Sequence, residues 1–388
     1  MKRLALLLAL AAALWAQAGG VLEQADAAFR AGDLERAAAL ARQALAQDPR
    51  SVHAHMILGV SAAQGNQWPA AEKHFQSVIK LAPQSPHGYF YLGQAALYQH
   101  KWDRAAGYFV QALERGYPDR QRAVVELALA LNELGQPEQA LETLSKVDAP
   151  AAGPMAAQYH AVRAFALGKL NRGGEALEAI RRARDLDRTN RDYWEFLIRL
   201  LISADDPYKA QGEAIEAQKI FPDDADIQYL FALSSYYVSE SPLTALALRN
   251  LREAEPDSER VLLVEGLLYR KQGKAEEAAR ALTEAAGKGV PDAHVLLGIL
   301  HKEGGDYEAA EREFRAAEKE NPSNGQVMLE LGKLLLVRGD LKEAQIRLER
   351  AYAALPDAPG VHYQLGLLYS RLGEKEKAQE HLRLSRQP

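Results

Sequence analysis

The sequence predicts an all-helical fold, an α-solenoid of about eleven stacked helix hairpins. Gly298, Gly332 and Gly366 are spaced 34 residues apart, and each is followed at the same offsets by a second glycine, an alanine and a bulky apolar residue. These offsets can be followed through nearly the whole chain after its first eighteen residues. A period of 34 is typical of helix pairs that bury their apolar faces by stacking on their neighbours.

The first glycine of each unit lies inside a predicted helix, where glycine costs about 1 kcal/mol relative to alanine. It is therefore predicted where two helix backbones approach too closely for a side chain, at Gly59, Gly93, Gly266, Gly298, Gly332 and Gly366. Seven residues further on, a second glycine is predicted to end the first helix in a left-handed conformation. These turn positions are Gly32, Gly135, Gly273, Gly305, Gly339 and Gly373.

An alanine marks the second helix of each unit, and only Thr244 interrupts this series. The alanines are Ala37, Ala71, Ala105, Ala140, Ala176, Ala210, Ala278, Ala310, Ala344 and Ala378. Second helices are predicted to begin near Pro69, Pro137, Pro207 and Pro242, because proline is well tolerated in the first turn of a helix. The weakest copies lie within residues 121–258, where Ala128, Ala164, Ile198 and Ala232 replace the glycine of close approach.

Because small residues, helix-ending glycines and apolar anchors recur together, the pattern resembles the tetratricopeptide repeat family. The resemblance implies a right-handed superhelix in which the first helix of each pair lines the concave inner surface. It also implies that this surface acts by binding a protein or peptide partner.

Residues 19–388 are predicted to form one continuous solenoid, because stacked repeats need no division into compact domains. The connections between repeats are short except at residues 148–154, which contain two prolines and a glycine. This segment is predicted to be either a loosened joint or a slightly longer turn between repeats.

Residues 1–18 predict a secretory signal peptide. Lys2 and Arg3 precede an apolar run from Leu4 to Trp15, and residues 16–18 read Ala-Gln-Ala, the small-x-small pattern of a cleavage site. The run is shorter than the roughly 20 residues that span a bilayer, so an uncleaved anchor is the less favoured alternative. No later segment resembles a membrane span. We expect the mature chain in the periplasm of a two-membrane bacterium, with secretion as the alternative.

Composition and motifs argue against several classes of function. Cysteine is absent, which excludes disulfides, thiolate metal sites and cysteine nucleophiles. The net charge of −5 makes nucleic acid an unfavourable ligand. His53 and His55 resemble a metal pair, but residues two apart on a helix point about 200° apart. No P-loop, dinucleotide, zinc-protease or serine-hydrolase motif is present, so we expect no enzyme, no cofactor and no metal site.

The resemblance to the repeat family also indicates candidate binding residues. Positions just after the close-approach residue, and one turn to either side of it, are implied to face the concave groove. The apolar and aromatic residues there are Phe90, Leu97, Tyr98, Phe165, Tyr229, Tyr236, Tyr237, Tyr363 and Leu367. Large aromatic side chains often contribute about 2 kcal/mol or more to an interface. The alternative is that these residues pack between adjacent repeats.

One subtype of the family grips a terminal carboxylate with lysine and asparagine side chains from neighbouring first helices. This sequence shows no repeated pairing of that kind, and Lys333 and Arg199 stand alone at the implied groove positions. An apolar helix or extended segment laid along the groove fits the sequence better.

Two functions from different classes are consistent with these observations. The first is a non-catalytic scaffold that holds one or more proteins of the bacterial envelope, for example parts of a secretion, polysaccharide-export or cell-wall machine. The second is a soluble carrier or accessory subunit that binds a glycan or peptide for an envelope enzyme or export machine, because tyrosines also suit sugar rings.

The leader generates a first prediction. The mature protein should begin at Gly19, because cleavage follows Ala18 in the small-x-small pattern. Intact-mass measurement of native protein from cell fractions checks this. Recovery of Met1 on exported protein, or of all the protein in the cytoplasm, would contradict it.

Overall fold

A computed structural model describes residues 20–238, 243–256, 258–290, 292–356 and 358–386. The chain divides into two compact units, Met1–Ala204 and Asp205–Pro388. The predicted signal peptide at residues 1–18, its cleavage site and Pro242 lie outside the described residues.

The first unit is built from helices α1 to α11. They are α1 (20–30), α2 (Leu34–Gln47), α3 (Val52–Gln64), α4 (Trp68–Leu81), α5 (Pro86–Leu97), α6 (Trp102–Glu114), α7 (Arg120–Glu133), α8 (Pro137–Leu144), α9 (Pro154–Lys169), α10 (Gly173–Leu186) and α11 (Arg191–Ser203). Helices α3 and α4 form a hairpin, as do α5 and α6, α7 and α8, and α9 and α10. Each second helix also packs on the first helix of the next pair.

The second unit is built from helices α12 to α22. They are α12 (Pro207–Ile220), α13 (Ala225–Tyr237), α14 (Leu243–Ala254), α15 (Glu259–Lys271), α16 (Ala275–Gly287), α17 (Ala293–Glu303), α18 (Tyr307–Glu320), α19 (Gly325–Arg338), α20 (Leu341–Ala354), α21 (Pro359–Leu372) and α22 (Lys375–Leu384). The hairpins run from α13 and α14 to α21 and α22, and successive first helices such as α17, α19 and α21 touch one another. Throughout the described residues the regular structure is helical, which confirms the predicted fold class.

The predicted close approach of paired helices is confirmed. A Cβ atom added to Gly332 would lie 2.6 Å from the Leu348 side chain, and one added to Gly59 would lie 2.4 Å from the Phe75 ring. In each case the bulky residue follows the glycine by sixteen residues and lies on the second helix. The same contact recurs between Gly93 and Phe109, Gly266 and Leu282, Gly298 and Phe314, and Gly366 and Leu382.

Among the described residues, the turns that follow the first helices use a left-handed residue. Gly339 has φ +86°, which glycine adopts without strain, and the other turn glycines that we predicted also have positive φ. Four repeats that lack the turn glycine place another residue in the same conformation, namely Asn66, His100, Asn171 and Asp205. Apart from glycine, asparagine, aspartate and histidine are the residues that most readily tolerate it, and a pattern based on glycine alone does not identify these turns.

The alanine series forms the centre of the helical stacking. Nine of its ten members have no exposed surface and Ala378 is 4% exposed. Thr244, which interrupts the series, is also buried, and its hydroxyl donates a hydrogen bond to the carbonyl oxygen of Ser235 at 2.9 Å. A buried hydroxyl is thus tolerated because it has a backbone acceptor. Pro69, Pro137 and Pro207 lie in the first turns of α4, α8 and α12, as predicted.

The segment 148–154 lies within the first unit. Gly153 has φ +83° and immediately precedes α9, which packs against both α7 and α8. The division between the two units falls instead at Ala204 and Asp205. A joint at 148–154 and one continuous solenoid over 19–388 remain predictions.

The close helix approach generates a matched pair of substitutions. Gly332→Ala should destabilise the protein by about 1–3 kcal/mol, because its new methyl group overlaps Leu348. Gly212→Ala should stabilise it by about 0.5–1 kcal/mol, because Gly212 lies within α12 with nothing within 4 Å of its added Cβ. Urea unfolding followed by circular dichroism measures both. Effects of the same sign would contradict the role assigned to Gly332.

Candidate partner-binding surfaces

In the first unit, Tyr98 is the most exposed of the predicted groove residues, with 57% of its surface accessible. It caps the C-terminal end of α5, and its ring stacks on that of Trp68 at the start of α4. The ring centroids are 4.2 Å apart and the planes differ by 6°. Because each ring fixes the other, Tyr98 presents a rigid aromatic surface.

A cavity of about 410 Å³ opens beside this stack, and we call it the aromatic cavity. Its aromatic lining consists of Trp68, Phe75, Tyr91 and Tyr98. Gln64, Asn66, Gln94 and Arg122 supply the polar lining. Arg122 is the only charged residue among those that line it, so this cavity combines aromatic walls with neutral amide groups.

Glu126 is buried and contacts Gln94, which lines the aromatic cavity. The Gln94 side-chain amide donates a hydrogen bond to Glu126 Oε1 at 3.2 Å. Burial raises the pKa of Glu126, and the hydrogen bond from Gln94 and the charge of Arg122 offset this only in part. The surroundings of Glu126 therefore disfavour its ionised form.

Phe90 does not face a groove, so its assignment as a binding residue is corrected. It is fully buried, and its ring stacks on Tyr117 at 4.1 Å with an interplanar angle of 8°. Tyr117 belongs to the α6–α7 connection, where Gly116 has φ +73°. The connection between repeats therefore covers the position that the repeat phase alone would expose.

Two other predicted residues of the first unit are half-buried. Leu97 packs against the same hydrophobic cluster as Phe90. The ring of Phe165 lies 4.3 Å from that of Phe196, on the next first helix. For these residues, packing between adjacent repeats accounts for much of their surface.

In the second unit, the three tyrosines of α13 have different environments. Tyr229 packs against a cluster that includes Leu263 and Leu297. The Lys271 Nζ lies 5.4 Å from the centre of the half-buried Tyr236 ring, and donates hydrogen bonds to the carbonyl oxygens of Tyr236 and Val238. Tyr237 is 50% exposed and contacts Tyr236 edge to face. Tyr237 is the most exposed of the three.

A second cavity, of about 310 Å³, lies on the first helices of the second unit, and we call it the cationic cavity. Its apolar lining is Leu334, Leu336, Val337 and Leu367, with Tyr307 beside them. Its charged lining is Lys302, Lys333 and Arg371, with no acidic residue. Tyr363, which is 49% exposed, lies on the same helix as Leu367 but does not line the cavity.

Lys333 thus has two cationic neighbours, and the expectation that it stands alone is wrong. The three cations lie on successive first helices, α17, α19 and α21, but at unequal distances from the close-approach glycine of each repeat. Lys302 and Arg371 lie four and five residues after their glycines, at the offsets of Leu97 and Tyr98 after Gly93, so a search of the implied groove positions for cations would have found them.

Glu330 organises two of these cations. It is buried, and its two carboxylate oxygens accept hydrogen bonds from Lys302 Nζ at 2.5 Å and Lys333 Nζ at 2.6 Å. Burial by itself would raise the pKa of Glu330, but the hydrogen bonds and charges of the two lysines outweigh it and hold the pKa below its usual range. The site is therefore preorganised with its carboxylate ionised.

The histidines pair within hairpins. His55 and His362 each face a second histidine on the paired helix, with Nδ1–Nδ1 distances of 3.1 Å to His74 and 2.9 Å to His381. His53 instead lies 3.1 Å from Asp26. Within the described ranges, no group of three or more metal-ligating side chains is present.

Comparison with known proteins decides the family. A tetratricopeptide repeat model matches residues 22–86, 91–157, 263–325, 295–359 and 329–386, which together are more than half of the chain. The chain belongs to the tetratricopeptide repeat family. Proteins of this family generally mediate protein–protein interactions. The model does not match residues 158–262, which contain most of the repeats that lack the close-approach glycine.

Individual relatives cover different fractions of the chain. A bacteriophage adsorption protein A of Escherichia coli (strain K12) is 30% identical over 93 residues, which are 24% of this chain and 9% of that protein. A tetratricopeptide repeat protein from Parabacteroides merdae has 16% identity and a TM-score of 0.52, covering 69% of this chain and 99% of its own. PilW, a type IV pilus biogenesis factor, has 17% identity and a TM-score of 0.50, covering 55% of this chain and 97% of its own. These structural likenesses show the fold.

The structure also bears on membrane association. Among the helices of the described ranges, none is long and apolar enough to cross a bilayer.

The two buried glutamates generate predictions of opposite sign. The raised pKa of Glu126 means that its contribution to stability is fully present at low pH and is lost as pH rises through its folded-state pKa. Glu126→Gln should therefore raise the unfolding free energy above that pKa. The lowered pKa of Glu330 means that its contribution is present above the ordinary glutamate value of about 4.3 and is lost on acidification. Glu330→Gln should therefore lower stability at neutral pH.

Urea unfolding of both variants between about pH 3.5 and 8 measures these effects. Equal pH profiles for the two variants would contradict the assigned environments.

Proposed function

We propose that this protein is a non-catalytic scaffold of the bacterial cell envelope that binds a partner segment along its first helices. Family membership supports the coarse function, because tetratricopeptide repeats generally bind proteins. The exposed surface supports binding along the first helices. Four residues there expose substantial apolar area, namely Tyr98, Tyr237, Tyr363 and Leu367.

The Trp68–Tyr98 stack carries the proposal. Exposed aromatic side chains that are already fixed lose little conformational entropy on binding, which is a property of residues that dominate interface energies. The stack borders a cavity of about 410 Å³, large enough to receive side chains of a partner. The amides of Gln64 and Gln94 would orient a backbone or polar group there.

The envelope location rests on the leader at residues 1–18. The relative named for bacteriophage adsorption is compatible with a role at the cell surface, although this chain matches only 9% of its length. We therefore place the mature protein in the periplasm, with secretion as the alternative.

A second candidate is a carrier that binds a glycan or peptide for an envelope enzyme or export machine. The observation in its favour is the combination of a flat aromatic pair with Gln64, Asn66 and Gln94, because sugar rings stack on aromatic faces and their hydroxyls bond to amides. Direct binding of oligosaccharide to purified protein, lost in Tyr98→Ala, would favour this function over the scaffold.

Substitution of Tyr98 tests the proposal. Tyr98→Ala should weaken capture of an envelope partner by at least about tenfold, or 1.4 kcal/mol, because the exposed ring and its stacking surface are lost. The melting temperature should change by only a few degrees, since more than half of the Tyr98 surface is exposed. Quantitative mass spectrometry of proteins cross-linked to the variant in envelope extract provides the measurement.

Tyr208→Ala is the matched control, because Tyr208 is 68% exposed but lies at the start of a second helix. Equal capture by wild type and Tyr98→Ala, or equal losses in both variants, would refute binding through the aromatic cavity.

A further inference from the structure

The cationic cavity differs in charge from the protein as a whole. The chain carries a net charge of −5, yet Lys302, Lys333 and Arg371 converge on one cavity whose lining contains no acidic residue. Such a concentration of positive charge focuses the local potential toward anionic groups. The cavity therefore selects a ligand by charge as well as by shape.

The carboxylate of Glu330 neutralises only part of this charge. Each of its oxygens already accepts a hydrogen bond from one lysine, and the residue is buried beneath them. Arg371 Nη1 donates a hydrogen bond to the carbonyl oxygen of Leu336. Because this acceptor is neutral, the hydrogen bond does not cancel the positive charge of Arg371. Three cations against one carboxylate leave a net charge of +2 at the cavity.

Apolar side chains lie beside these charges. Val337 is 63% exposed and Leu367 is 37% exposed, and both line the cavity. A free small anion would leave these aliphatic groups in water, whereas a ligand that carries both carboxylates and apolar side chains would cover them.

We propose that the cationic cavity binds an extended acidic segment of a partner protein in which carboxylates alternate with large apolar side chains. This inference deepens the proposed scaffold function and rests on it. The partner carboxylates pair with Lys302, Lys333 and Arg371, and its apolar side chains cover Val337 and Leu367. Glu330 acts as a positioning residue that holds the two lysines at the cavity without touching the partner.

The arrangement of helices sets the spacing of the partner residues. The three cations come from neighbouring first helices, whose axes in packed proteins lie about 8–10 Å apart. An extended chain in the polyproline II conformation has three residues per turn and advances about 3.1 Å per residue, so acidic residues three positions apart lie on one face about 9 Å apart and would meet successive cations. A single terminal carboxylate could not pair with all three cations.

The aliphatic lining favours a protein segment over an acidic polysaccharide. Sugar rings are best held by aromatic faces, and the exposed apolar groups at this cavity are mainly aliphatic. The aromatic cavity of the first unit has the reverse character, with four aromatic residues and one cation.

A defined peptide tests the proposal with the full mature chain. The probe is a fluorescent peptide of about twelve residues, longer than the roughly 20 Å across three first helices, with Glu at every third position and Leu between them. Both ends are blocked, and the control peptide has Gln in place of each Glu. We expect the acidic peptide to bind at least about tenfold more tightly than its control. This preference should shrink as ionic strength rises from about 0.05 to about 0.5 M.

Substitutions at Val337 isolate the charge of the cavity, because Val337→Asp and Val337→Lys remove the same exposed side chain. Val337→Asp should bind the acidic peptide at least about fivefold more weakly than Val337→Lys, because both variants lose the valine contact and only the aspartate adds a negative charge. Ile346→Asp is the matched control, since Ile346 is 53% exposed on the second helix α20. Its binding should equal that of wild type.

Equal binding of the acidic and neutral peptides, equal effects of the two Val337 variants, or binding of polygalacturonate in place of the peptide would overturn the proposal. Partner capture that depends on Tyr98 but not on either Val337 variant would overturn the cationic site alone and leave the scaffold function standing. If Tyr98→Ala left partner capture unchanged while the acidic peptide still bound, the role of the aromatic cavity would be refuted and the cationic site would stand.

Discussion

The contact between a small residue on each first helix and a bulky residue on its partner sets the geometry of the hairpins. Glycine at Gly59 or Gly298 costs about 1 kcal/mol of helix stability. The aromatic ring that fills the space, Phe75 or Phe314, is fully buried, and such burial contributes about 1.5–3 kcal/mol. The balance favours the close approach, and no larger side chain fits, because an added Cβ would already lie within 2.6 Å of the ring.

This contact also decides which side chains remain available for binding. With the bulky residue of the second helix pressed against the glycine, the residue that follows the glycine lies about 100° around the first helix from this contact. Leu367 follows Gly366 directly, and Lys333 follows Gly332 in the same way. The repeated packing therefore leaves a face whose chemistry can vary from repeat to repeat, aromatic in the first unit and cationic in the second.

Glu126 and Glu330 illustrate how this variation works. Both are buried, and both lie two residues before the close-approach position of their repeats, at Ala128 and Gly332. Glu126 is supported mainly by amides and has a raised pKa, whereas Glu330 is held by two lysines and has a lowered pKa. The same backbone position thus produces a carboxyl group that resists ionisation in one unit and an ionised anchor for cations in the other.

The sequence by itself determined the helix hairpins, because their signals act over fixed distances along the chain. The contact of Gly332 with Leu348, the left-handed turn at Gly339 and the burial of Ala344 all depend on offsets within one repeat, so periodicity predicted them. The middle repeats were harder to recognise, since Asn171 and Asp205 take the place of the turn glycine.

Only the tertiary structure decided which groove positions are open. Tyr117 covers Phe90 from an irregular connection, and Trp68 stacks on Tyr98 from a different hairpin. Lys302 and Arg371 meet Lys333 from unequal positions in neighbouring repeats. These contacts join residues about thirty apart in sequence through the stacking of repeats, and no regular spacing encodes them.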